Sequence, residues 1–141
     1  MTTLLRLLDF ILRRPVVSSS LFAIWLVILH RVSNSTPAEM PQEILPQQDK
    51  ILHFLFYLGG ATVLAASLRL IAGMRGVRLL WVVVLCMAML GALDEYNQQF
   101  IPGRSALNFM DWLADLAGAF GGVGLLHLIL ARFPEKDKSG A

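Results

Sequence analysis

Residues 108–131 read NFMDWLADLAGAFGGVGLLHLILA, a stretch with no lysine or arginine and with its two aspartates close to the start. Wound at about 100° per residue, Asp111, Asp115, Gly118 and Gly122 fall on one helical face. Gly118-x-x-x-Gly122, extended backward by Ala114, is a close-packing surface of the kind transmembrane helices use. The two carboxylates therefore point toward neighbouring helices and away from lipid. That direction matters, because an aspartate at bilayer depth costs about 2.5–3.5 kcal/mol on insertion scales. A helix of this pattern belongs in a membrane bundle whose interior is polar at one end.

Working outward, three more uncharged stretches appear: Pro15–His30, Ile51–Leu68 and Leu79–Leu93. Each is slightly short of the roughly 20 residues that cross a bilayer core. Flanking residues extend them, including Arg78 and Arg132, whose long side chains can reach the interface. The expected spans are 15–32, 50–70, 77–97 and 108–131. Composition agrees: 56% of residues are apolar and 16% charged, against about 25% charged in globular domains. A soluble domain this small cannot hide that much apolar surface. A disordered, nucleic-acid-binding or ordinary cytosolic protein is excluded, despite a pI near 9.0. The single cysteine, Cys86, rules out an internal disulfide and any CxxC metal site.

The fold class is thus an all-α membrane protein, four transmembrane helices preceded by a short amphipathic N-terminal helix. Residues 1–14 form the arm, 15–132 the four-helix domain and 133–141 a tail. In the arm, Leu4, Leu5, Leu8, Ile11 and Leu12 make a helical stripe suited to lying along the membrane surface. Reading the first span as a cleaved signal peptide would need a better cleavage site than Ser33-Asn34-Ser35 supplies. Lysine and arginine gather on the cytoplasmic side of membrane proteins. Nine of the 12 basic residues lie in the arm, in the Arg69–Arg78 connection and in the tail. Both termini are expected in the cytoplasm, with the polar, proline-containing segment 33–48 facing out.

The informative polar residues gather at the outward ends of spans two, three and four. Asp49, His53, Tyr57 and Gly60 share one face, with Lys50 at its margin. Gly91, Glu95 and Gln98 share another if the third helix runs past its apolar stretch. Pro102-Gly103 marks a turn that folds Arg104 back over the opening beside Glu95. Lys50 and Arg104 are suited to phosphate, one as a point charge and one as a planar fork. Glu95 or His53 could act as general acid or base, because burial among carboxylates shifts pKa values. Asp49, Tyr57, Gln98, Asp111 and Asp115 complete the ligand-binding set, and the Asp111/Asp115 pair suits a divalent cation. Plainer readings stand beside these. Asp49, Lys50 and Asp94 fit solvated helix ends, Arg104 a loop cation, and His53 and Tyr57 packing residues. Glu95, Asp111 and Asp115 fit ion-pair scaffolding. His127, alone in an apolar run, reads as packing, and His30 and Arg31 as interfacial.

Together these residues resemble the VanZ-like membrane proteins. The resemblance runs from about Leu45 to Gly122 on three motifs: Asp49-Lys50-x-x-His53-Phe54-x-x-Tyr57, Asp94-Glu95-x-x-Gln98-x-x-x-Pro102-Gly103-Arg104, and Asp111-x-x-x-Asp115-x-x-Gly118-x-x-x-Gly122. Asp115 departs from the pattern, which commonly has asparagine there. The resemblance implies a bacterial inner-membrane protein and, through one namesake, a link to teicoplanin (glycopeptide) resistance. Three functional readings follow. The first is binding of an anionic lipid or lipid-linked envelope precursor at the outward polar site. The second is an enzyme modifying such a lipid through Glu95 and His53, although no Ser-His-Asp, HExxH or phosphate-loop signature is present. The third is proton- or ion-coupled transport, against which stand only four spans and no inverted repeat. Self-association into a homo-oligomer stays open.

Overall fold

The protein is described by a computed structural model covering residues 2–36, 38, 44–104 and 108–133. Its elements, all helices, run α1 (Thr2–Leu12), α2 (Pro15–Ser33), α3 (Gln48–Ile71), α4 (Gly76–Gln98) and α5 (Phe109–Arg132). Four of these, α2 to α5, are long and apolar enough to cross a membrane. The chain is therefore an all-α, multi-pass membrane protein. The expected spans match within two residues at every end.

Local chemistry sets the ends. Pro15 opens α2, where its missing N–H is no loss. Asn108 caps α5, its side chain accepting from the Met110 amide at 3.1 Å. Between α4 and α5, the Arg104 amide donates to the Ile101 carbonyl at 3.1 Å across Pro102-Gly103. Gly103 has φ 81°, the left-handed position of a type II turn that favours glycine. That turn reverses the chain directly above the end of α4.

The bundle is held most tightly between α3 and α5. A β-carbon on Gly118 would lie 2.4 Å from the Phe54 carbonyl oxygen, and one on Gly122 would lie 2.5 Å from that of Leu58. The two backbones can meet this closely only because both positions lack side chains. Thr62 fastens the seam, its hydroxyl placed 2.7 Å from the Leu58 carbonyl and 3.1 Å from that of Gly122. Helix α4 closes the core with Leu79, Val83, Val84 and Met87. Helix α2 docks through Trp25, which stacks on Phe56 and donates from its indole to the Phe56 carbonyl at 3.0 Å. Ile24, Val27, Leu55, Trp81, Leu85 and Leu128 point outward from the bundle, as a lipid-facing belt requires.

The arm is a helix that packs in part against the bundle. Leu12 is buried and Leu8 packs against the core, and the Arg13 guanidinium donates to the Phe133 carbonyl at the end of α5. Part of the leucine stripe therefore covers the end of the bundle. Leu7 and Phe10 remain exposed; the side chains of Leu4 and Leu5 lie outside the described residues, as does the tail from residue 134 onward.

Candidate functional site

The starts of α3 and α5 and the end of α4 meet at one end of the bundle, and their polar residues converge there. On α3, successive turns present Asp49, His53 and Tyr57. On α5, Asp111 and Asp115 stand one turn apart, directly before the glycine seam. On α4, Asp94, Glu95 and Gln98 are all buried, because the helix continues past its apolar stretch.

Two contacts tie α3 to α5. Lys50 Nζ lies 2.7 Å from Asp49 Oδ2 and 3.1 Å from Asp111 Oδ1. Deeper in, His53 Nδ1 stands 2.9 Å from Asp115 Oδ1. With Asp115 ionised and the imidazole neutral, Nδ1 carries the hydrogen and Nε2 keeps its lone pair. Gly91 on α4 leaves room for this pair; a β-carbon there would lie 2.8 Å from Asp115 Oδ2.

Helix α4 joins through two further links. Glu95 Oε2 accepts from the Asn108 amide at 2.7 Å, so a carboxylate on one helix satisfies a donor at the N-terminus of the next. Gln98 Nε2 donates to Asp94 Oδ2 at 2.8 Å, and Arg104 Nε donates to Gln98 Oε1 at 3.2 Å. The Pro-Gly turn thus folds Arg104 onto α4, but its partner is Gln98, which leads on to Asp94. No ion pair joins Glu95 and Arg104 among the described residues. Glu95 is engaged by the Asn108 amide ahead of α5, whereas Arg104 is engaged by Gln98 on α4.

Asp94 corrects the solvated-helix-end reading. It is 7% exposed, with Gln98 and the Ser33 hydroxyl beside it. The i, i+4 spacing of Asp94 and Gln98 was the signal in the sequence. Asn97 donates to Ser33 Oγ at 3.2 Å and to Asn34 Oδ1 at 3.3 Å, tying the end of α2 to the same level. Asn108, Ser33 and Asn97 are additions that only the packing supplies. Asp49 keeps its solvent exposure. The Asp111/Asp115 pair is divided, since Lys50 engages Asp111 and His53 engages Asp115. His127 sits far from this cluster and donates to the Val123 carbonyl at 2.9 Å, as a satisfied helix histidine does.

Several buried atoms in the cluster have no hydrogen-bond partner among the described residues. They are Tyr57 Oη, Glu95 Oε1, Arg104 Nη1 and Asp115 Oδ2. Buried polar groups are ordinarily paired, and each orphan costs about 1–3 kcal/mol. Two are donors and two acceptors, so the cluster offers complementary polar contacts to a ligand with both. Beside it, Pro46, Gln47, Lys50, Ile51, Phe54 and Leu55 line a groove of about 440 Å³. No family model matches the chain, and neither a curated protein nor a solved structure matches it.

Proposed function

We propose that this chain is a VanZ-like protein of the bacterial inner membrane. In this reading it binds the phosphate-bearing headgroup of an anionic lipid or lipid-linked envelope precursor at an outward-facing polar site. The observation that carries it is the pair of buried donors without hydrogen-bond partners, Arg104 Nη1 and Tyr57 Oη, in the same cluster as the unpaired carboxylate oxygens Glu95 Oε1 and Asp115 Oδ2. The guanidinium supports phosphate recognition, and Glu95 and Asp115 accept from headgroup hydroxyls. The groove beside Lys50, walled by Ile51, Phe54 and Leu55, suits an acyl chain ending at a cationic rim. The distribution of basic residues supports cytoplasmic termini and an outward polar end. The three motifs support the VanZ-like kinship, and a link to glycopeptide resistance would follow from altered handling of such a lipid.

The test is lipid analysis of the full chain purified in mild detergent. Wild type should retain a phospholipid or polyprenyl-linked phosphate stoichiometrically, and Arg104→Gln and Tyr57→Phe should release it while folding normally. Equal retention by all three proteins overturns the reading. Reporter fusions after Ala141 and within residues 33–48 should report opposite sides of the membrane; a periplasmic signal from the Ala141 fusion reverses the orientation.

A further inference from the structure

We infer that His53, Glu95 and Asp111 form a binding site for a divalent metal ion of the zinc or manganese class. One ring nitrogen and one oxygen from each carboxylate lie within 4.8 Å of one another, although the three residues come from α3, α4 and α5. Zinc bonds to nitrogen and oxygen are about 2.0–2.2 Å long, which sets tetrahedral ligand atoms about 3.3 Å apart. Closing the gap takes small side-chain rotations.

The surroundings fit such an ion. A metal-binding histidine ordinarily donates its other ring hydrogen to a carboxylate, which fixes the tautomer and the ring direction. Asp115 Oδ1 stands 2.9 Å from His53 Nδ1, the arrangement that in a neutral imidazole presents Nε2 to an ion. Glu95 is 3% exposed, and its Oε1 has no partner although Oε2 is engaged by the Asn108 amide. One turn along α3 from His53, Tyr57 is sealed at 1% exposure, and its hydroxyl has no hydrogen-bond partner and feels the charges of Asp115, Asp94 and Glu95. It can donate to a water or anion on the ion.

Charge points the same way. The buried carboxylates of Asp94, Glu95, Asp111 and Asp115 outnumber the permanent cations Lys50 and Arg104, and a low-dielectric interior does not tolerate such an excess of charge. A doubly charged cation offsets it and leaves Lys50 as the neighbour of Asp111. Imidazole with two carboxylates suits Zn²⁺ or Mn²⁺ better than Mg²⁺ or Ca²⁺, which take oxygen ligands. The site stands without a lipid; where the headgroup reading above also holds, the ion gives phosphate a positive centre inside an acidic cluster.

The experiment uses the full chain in lipid-free detergent, stripped with chelator and titrated with Zn²⁺ by calorimetry and with Mn²⁺ by electron paramagnetic resonance. Saturable binding of one ion per chain is expected, with imidazole nitrogen coupling in the Mn²⁺ spectrum. His53→Gln and Asp111→Asn should abolish it, and Asp115→Asn should weaken it about 10–100-fold. Binding only at millimolar metal, or retained by His53→Gln and Asp111→Asn, overturns the site. Should those variants fail to fold, absence of nitrogen coupling in wild type overturns it equally. Because no lipid is present, loss of headgroup retention in the separate lipid analysis leaves this result standing, and the reverse.

Discussion

The seam between α3 and α5 has two halves built on opposite terms. From Phe54 to Thr62 the helices meet through Gly118 and Gly122, backbone against backbone, and beyond them Ala65, Ala66, Val123, Leu126 and Ile129 continue an apolar core. A turn or two the other way, the same helices present Lys50, His53, Asp111 and Asp115 and bury polar atoms without partners. In lipid, helix association is driven by packing and interhelical hydrogen bonds, while a buried ion pair is weak support for stability. The apolar half therefore holds the bundle together, and its rigidity is what allows the polar half to keep groups that water would otherwise claim.

Substitutions can break this division, and the largest effect is expected in the glycine seam. Gly122→Leu would drive a side chain into the Leu58 carbonyl and the Ala61 methyl; overfilling of a packed interior costs about 1–3 kcal/mol even where side chains can shift. Backbone cannot shift as easily, so loss of folded protein and of cross-linking between α3 and α5 is expected. Unchanged melting in detergent would show that the seam is not the anchor.

Next comes the apolar core away from the site. Leu126, 1% exposed, replaced by alanine should lower unfolding free energy by about 2 kcal/mol through the cavity left behind, with lipid retention unchanged below the melting point. A loss of retained lipid in the folded Leu126→Ala protein would blur the two halves.

The polar half should respond in the opposite manner. Glu95→Gln keeps the shape and the cap on Asn108 while removing charge; Arg104→Lys keeps charge while removing the fork. Each should fold with a smaller stability loss than Leu126→Ala and yet lose retained lipid. Joint loss of stability and binding would recast the cluster as scaffolding. At the small end, Thr62→Val removes the hydroxyl shared by two carbonyls and should cost about 0.6 kcal/mol, the average for interhelical hydrogen bonds in membranes. Gly124→Ala, with nothing within 4 Å of its added carbon, should cost nothing measurable by thermal unfolding.

The sequence by itself determined the four spans, the inward face of Asp111, Asp115, Gly118 and Gly122, the Pro102-Gly103 reversal and the gathering of polar residues at one level. These follow from helical period, residue size and turn chemistry, all of which act over a few positions of one chain segment. Only the tertiary structure decided who meets whom. Glu95 caps α5 through Asn108, Arg104 reaches Gln98 instead of Glu95, Asp94 is buried, and His53 takes Asp115 while Lys50 takes Asp111. Helical period names the face a side chain occupies. It does not set the height or rotation at which neighbouring helices pack, and a shift of one turn, about 5.4 Å, exchanges one partner for another.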